Sequence, residues 1–213
     1  YAFGFEKPSP IQCKALMPMT SDNNRDIIAQ AQSGTGKTGA FVVGVLQKLC
    51  DAKPETINHT FALVLAPTHE LATQSMKVFK RISKFIKPEV RIELIVGGTS
   101  IEDNKQSLSQ NKPHIVVGTP GRIQDMIRRK YLKVDKLAIT VIDEADEMFS
   151  SGFQEQIYKI FQHMPQNIQI GLFSATMDND LEELSKKFMI RPIKILVKAE
   201  QLTLQGIAQY YIN

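Results

Sequence analysis

Two short stretches carry residue types suited to chemistry on a phosphorylated substrate. The first, AQSGTGKTGAF at 31–41, follows an apolar run and leads into a helical pattern through Val42, Val43, Val45, Leu46 and Leu49. Strand, glycine-rich loop and helix in that order make an anion site. Gly34 and Gly36 let successive N–H groups turn toward a phosphate, and the helix start adds the favourable end of its dipole. The loop Ser33, Gly34, Thr35, Gly36, Lys37, Thr38 and Gly39 is expected to cradle a nucleoside triphosphate, with Lys37 on the β- and γ-phosphates and the Thr38 hydroxyl on Mg²⁺. The pattern departs from G-x-x-x-x-G-K-[ST] at its first position, which is Ala31. The second stretch, VIDEADEMF at 141–149, sets Asp143, Glu144, Asp146 and Glu147 directly after an apolar run. A bound triphosphate needs a carboxylate from a neighbouring strand to hold its Mg²⁺. Asp143, at the tip of LAITVID, is placed for that role, and Glu144 is the candidate to orient or deprotonate an attacking water. Standing alone, DEADE reads equally well as a solvated acidic turn at a helix start.

These residues need a sheet that brings distant loops to one edge. Seven apolar, β-branched runs read as buried strands: 26–31, 61–66, 92–96, 114–119, 137–143, 168–175 and 193–197. Between them lie helical patterns. In 70–87, Ala72, Met76, Phe79, Ser83 and Ile86 share one face; in 154–164, Ile157, Ile160, Phe161 and Met164 are in register ahead of Pro165. Alternating strands and helices predict an α/β fold, a mainly parallel central sheet with helices on both faces, in which ligands bind beyond the carboxyl ends of the strands. The segments 51–60 and 108–114 read as surface loops.

Composition agrees with one large globular domain. The chain has 213 residues, 43% hydrophobic and 23% charged, with a net charge of +4 that permits an anionic partner without requiring one. Cys13 and Cys50 lack metal or disulfide spacing, and the histidines at 59, 69, 114 and 163 are scattered, so no metal cage is expected from them. No apolar run is long enough to span a membrane, and no signal-peptide pattern is present. The chain starts at Tyr1 without an initiator methionine, which reads as a fragment of a longer protein.

With DEAD at 143–146 and AQSGTGKT at 31–38, the chain resembles the first RecA-like domain of a DEAD-box ATP-dependent RNA helicase, a P-loop NTPase fold, over nearly its whole length. GFEKPSPIQ at 4–12 resembles the family's adenine-reading segment, which implies that Gln12 bonds the adenine edge, Phe5 packs on its ring and Lys7 lines the pocket. Read by itself, that stretch is a proline-bounded turn leading into a helix. PTHELA, VGGTS and TPGR resemble the three RNA-gripping segments, implying contacts from Pro67, Thr68 and His69, from Gly97 and Gly98, and from Thr119, Pro120, Gly121 and Arg122. Each follows an apolar strand, and Arg122 would add a charge-assisted phosphate contact. His69 replaces the usual arginine, so one phosphate contact becomes neutral or pH-dependent, since a free imidazole titrates near ~6.5. SAT at 174–176 resembles the segment coupling ATP state to unwinding, with Ser174 and Thr176 bonding Asp146; it also reads as a cap for a helix around 178–190.

The resemblance implies ATP and Mg²⁺ as cofactors and RNA as partner. It divides the chain into a RecA-like domain at 1–200 and the start, at 201–213, of a connection to a second RecA-like domain, which supplies arginines to the ATP site. Without those arginines turnover is expected to be slow, by roughly 10³ to 10⁵ in comparable phosphoryl-transfer sites. The wording of VIDEADEMFSSGF, QIYKIF and QLTLQGIAQYY is similar to the translation initiation factor 4A subgroup, although MPMTSDNNRDIIAQ carries a longer insertion. The function so implied is ATP hydrolysis coupled to unwinding or remodelling RNA; the alternative is an ATP-gated RNA clamp within a larger assembly. Translation-initiation or RNA-processing proteins are the expected partners, and the cytoplasm or nucleus the expected compartment.

Overall fold

The computed structural model describes residues 7–21 and 23–197. Among these residues seven strands form one sheet in which every pairing is parallel: β1 (Ile27–Gln30), β2 (Ala62–Leu65), β3 (Ile92–Ile95), β4 (Ile115–Gly118), β5 (Ile139–Ile142), β6 (Gln169–Ser174) and β7 (Ile193–Leu196), in the spatial order β3-β4-β2-β5-β6-β1-β7. The central strands are buried along their length, as their continuous apolar sequences require when helices cover both faces.

Among the described residues eight α-helices flank the sheet: α1 (Pro10–Thr20), α2 (Lys37–Asp51), α3 (His69–Ser83), α4 (Ile101–Asn111), α5 (Pro120–Arg128), α6 (Ala145–Ser150), α7 (Gln154–Phe161) and α8 (Asn179–Phe188). Two apolar cores result. One includes Phe41, Phe79 and Phe173, with Phe41 meeting Phe173 edge-on at 5.4 Å between ring centroids. The other includes Ile123, Met126, Met148, Ile157 and Leu172. Alternate residues of one strand serve opposite faces: Val141 belongs to the first core and Ile142 to the second.

The strand order allocates the chemistry. The loops after β1, β5 and β6 carry GTGKT, DEAD and SAT, and these three strands are neighbours, with Gln30 paired to Ser174 and Ile142 to Leu172. The loops after β2, β3 and β4 carry PTHELA, GGTS and TPGR, and those strands form the adjoining group.

Several boundaries differ from the sequence reading. The 70–87 helix spans His69–Ser83, and the 154–164 helix ends at Phe161, ahead of Pro165. The 178–190 helix is capped by Asp178, whose carboxylate accepts from the Leu181 N–H at 2.9 Å, so neither Ser174 nor Thr176 caps it. The supposed surface loop at 108–114 is partly structural: Leu108 to Asn111 finish α4, and Leu108 and His114 are buried. The His114 ring is held by the Arg91 N–H at 3.2 Å and the Ile57 carbonyl at 3.1 Å, and burial keeps its pKa below the ordinary value.

Gly118 ends β4 where a Cβ would lie 2.2 Å from the Ile95 carbonyl oxygen, a backbone atom that cannot swing aside. Gly118→Ala is therefore expected to destabilise the fold by about 2 kcal/mol or more, read as a lower urea midpoint at unchanged slope.

Candidate functional site at the carboxyl edge of the sheet

The loop after β1 turns through two left-handed glycines, Gly34 at φ 78° and Gly36 at φ 95°, before α2 starts at Lys37. Gly36 is doubly required. Its φ disfavours any side chain, and a Cβ there would sit 2.8 Å from the Gln12 side-chain nitrogen and 2.9 Å from Ser9 Oγ. Ser9 and Gln12 form a capping box on α1, with the Ser9 N–H donating to Gln12 Oε1 at 2.9 Å. Gln12 Nε2 then donates to the Gly36 carbonyl at 3.2 Å. Gln12 is thus oriented by both its helix and the phosphate loop. It keeps one N–H and one oxygen lone pair for a ligand. Lys7 is exposed, and Phe5 lies outside the described residues.

Lys37 is the buried cation of the site. Its side chain is 3% exposed, and Nζ donates to the Ala31 carbonyl and to Glu144 Oε2, each at 2.9 Å. Glu144 adopts a left-handed conformation, φ 48°, just ahead of α6. That backbone costs a non-glycine residue of order 1 kcal/mol and is characteristic of functional positions. Asp143, at the tip of β5, is also buried, and one carboxylate oxygen accepts from the Glu144 N–H at 3.1 Å. Burial first, and the neighbouring Glu144 charge second, push its pKa up to about 7; Lys37, the Glu144 N–H and the Ser75 hydroxyl only partly offset them.

The two carboxylates therefore outweigh their single cation. This is a fit for Mg²⁺, with Asp143 and the half-buried Thr38 as protein ligands. Among the described residues no group of three or more His, Cys, Asp or Glu side chains could hold a metal ion. Few protein ligands suit Mg²⁺, which keeps waters and takes oxygens from substrate phosphates.

Asp146 joins the third strand tip to this centre. Its Oδ2 accepts from the Thr176 N–H at 2.9 Å and the Thr176 hydroxyl at 2.8 Å, while its own N–H donates to Ser174 Oγ at 3.2 Å. Partial burial alone would raise the Asp146 pKa, but bonds from Thr176, Ser174 and the Glu147 N–H lower it below the ordinary carboxylate value. A cavity of about 490 Å³ opens here between Ser33, Leu71, Glu144, Asp146 and Thr176. Glu147 also lines it, an exposed residue in the first turn of α6.

The adjoining strand tips carry the other predicted residues. Thr68 caps α3, accepting from the Leu71 N–H at 3.2 Å, and His69 is exposed in its first turn beside the buried Pro67. Gly97 and Gly98 are exposed, with open space where a Cβ would stand. Thr119, Pro120 and Gly121 start α5. Arg122 is less free than the sequence reading gave it. One guanidinium nitrogen donates to Thr99 Oγ1 at 3.1 Å and to Asn104 Oδ1, and the other to the Thr99 carbonyl at 2.8 Å. It braces the loop after β3 against the loop after β4, and two of its five N–H groups remain for a phosphate.

Sequence reasoning missed Ser75, Thr99 and Asn104. Ser75 and Asn104 carried a signal, being polar residues on the buried faces of α3 and α4. A buried polar side chain requires a partner, and these are Asp143 and Arg122.

The DEAD/DEAH box helicase family profile matches residues 9–184. The ATP-dependent RNA helicase eIF4A of Neurospora crassa is 51% identical over 212 residues, covering 100% of this chain and 51% of that protein. The eukaryotic initiation factor 4A of Caenorhabditis elegans is 49% identical over 213 residues, again covering 100% and 51%. Among solved structures, S. cerevisiae Dbp5 bound to RNA and ADP BeF3 superposes with a TM-score of 0.83 at 34% identity, covering 98% of this chain and 51% of that one. A DEAD box protein from Methanococcus jannaschii superposes at 0.82 and 34% identity, covering 93% and 52%. The chain spans about half the length of the curated relatives it matches.

A raised carboxyl pKa favours the fold at low pH. Unfolded Asp143 ionises near ~4, the folded residue only near 7, so its contribution is fully present below the first value and lost as pH rises through the second. Without Mg²⁺ or nucleotide, Asp143→Asn should change Tm little at pH 4 and raise it by roughly 3–6 °C at pH 8. Scanning calorimetry across that range checks it; a pH-independent difference would contradict the assignment.

Proposed function

The chain belongs to the DEAD/DEAH box helicase family, and we propose that it is the nucleotide-binding half of an ATP-dependent RNA helicase, hydrolysing ATP to unwind or remodel RNA when joined to a second RecA-like domain. The observation that carries this reading is the adjacency of β5, β6 and β1, which sets the DEAD, SAT and GTGKT loops side by side. Similarity to initiation factor 4A over the whole chain favours a role in translation initiation, in the cytoplasm.

The residues divide the work by position. Ser33 to Gly39 supply the phosphate cradle, and Gln12, fixed against Gly36, offers its remaining amide groups to the base. Lys37 places a desolvated positive charge where phosphate charge develops. Bound Mg²⁺ would neutralise phosphate charge, held through Asp143 and Thr38. Glu144, partly exposed and oriented by Lys37, is the group able to accept a proton from an attacking water. Asp146, through Thr176 and Ser174, ties that carboxylate pair to the loop after β6. On the adjoining tips, exposed glycines and helix-start N–H groups suit the sugar-phosphate backbone of a single RNA strand.

Joined to a second RecA-like domain, Glu144→Gln should keep nucleotide affinity within about threefold while RNA-stimulated hydrolysis falls by 10² or more, on the order of a lost general base. Unchanged turnover would show that Glu144 does not act on the water.

A further inference from the structure

A second concave site lies at the opposite end of the sheet. A cavity of about 420 Å³ is bounded by residues 58–60 before β2, by Lys112 and Pro113 before β4, by the end of α4 and by residues 130–133 after α5. In a parallel sheet the segments preceding strands sit at the amino edge, so this cavity is remote from GTGKT and DEAD. It has the size of a small-molecule pocket.

Its charge is one-sided. Lys105, Lys112, Lys130 and Lys133 line it together with His59, and among the described residues no carboxylate does. Lys105 is partly neutralised by Glu102, at 2.9 Å, and lies over the Tyr131 ring at 5.5 Å. Among the described residues Lys112, Lys130 and Lys133 take part in no ion pair. Asn58, Thr60 and Ser109 add uncharged hydrogen-bonding groups, while Leu108 and Leu132 give an apolar floor. Burial and the nearby Lys136 lower the His59 pKa, so His59 adds a neutral imidazole rather than a fifth charge.

Three of the four lining lysines have no ion-pair partner among the described residues and the fourth is shared with Glu102, so a multivalent anion would supply the counter-charge the cavity lacks. Lysines act as compact point charges, whereas planar bidentate recognition of a carboxylate or phosphate favours arginine, and none lines this cavity. We propose that this amino-edge cavity is a binding site for a small ligand carrying two or more phosphoryl groups, distinct from the ATP site.

Inorganic pyrophosphate tests the charge recognition, followed residue by residue through backbone amide NMR shifts so that the two sites report separately. Saturable shifts at 58–60, 109–112 and 130–133 are expected, with a dissociation constant below about 1 mM. Binding there should weaken at least tenfold in Lys112→Ala/Lys133→Ala, two exposed positions whose truncation leaves the core intact. Shifts confined to 33–38, or amino-edge shifts unchanged by the double substitution, would overturn the proposal. So would a single-stranded RNA oligonucleotide that shifts the amino-edge residues where pyrophosphate does not, since the surface would then serve nucleic acid. The pyrophosphate result at 33–38 bears separately on the ATP reading.

Discussion

A buried carboxylate beside a partly exposed one needs a cation or a proton to offset its desolvation, and in this chain the cation is Lys37. Its ammonium bridges the Ala31 carbonyl and Glu144, next to the buried Asp143. The bridge fixes the loop after β1 to the loop after β5 across the intervening strand β6. A buried pair of this kind need not add net stability over an apolar replacement. Its consequence is positional: Lys37, Asp143 and Glu144 share one geometry. Asp143 remains under-compensated even so, which is the electrostatic condition for taking up Mg²⁺.

The same cluster connects the loops after β1, β5 and β6 with helix α3, which follows β2. Helix α3 is capped by Thr68 and begins at His69, and two turns later its buried Ser75 hydroxyl bonds Asp143. Asp146 runs the other way, to Thr176 and Ser174. A shift at Asp143 therefore has rigid elements leading in both directions, a helix and a hydrogen-bonded loop. Arg122 performs a similar service at the adjoining strand tips, tying the loop after β3 to the start of α5 through Thr99 and Asn104.

The central strands were legible because strands covered on both faces must be continuously apolar, the edge strands β3 and β7 from shorter β-branched runs that include Glu93 and Lys194, and the loops after β1 and β5 because glycine spacing and carboxylate placement have few structural substitutes. Other features hid where local sequence underdetermines contact. The 108–114 segment looks polar, yet its one leucine and one histidine are buried by packing that only the tertiary structure supplies. SAT carries two good capping residues, but the chain uses Asp178, three residues before the Leu181 N–H it accepts from. Arg122 was expected to present its charge to phosphate because sequence cannot show that Thr99 and Asn104 reach it first. Ser75 was read as nothing at all, although a serine on the buried face of an amphipathic helix demands a partner.

The central claim is that Lys37 and Glu144 form one electrostatic unit in the chain itself, and a double-mutant cycle on its unfolding free energy tests it most directly. Lys37→Met alone leaves two crowded carboxylates without their cation and should destabilise by roughly 3 kcal/mol, the low end of the range for breaking a buried pair because Glu144 is partly exposed. Adding Glu144→Gln should recover part of that loss, with a coupling energy above about 1 kcal/mol. Additivity of the two substitutions to within about 0.3 kcal/mol would contradict the account.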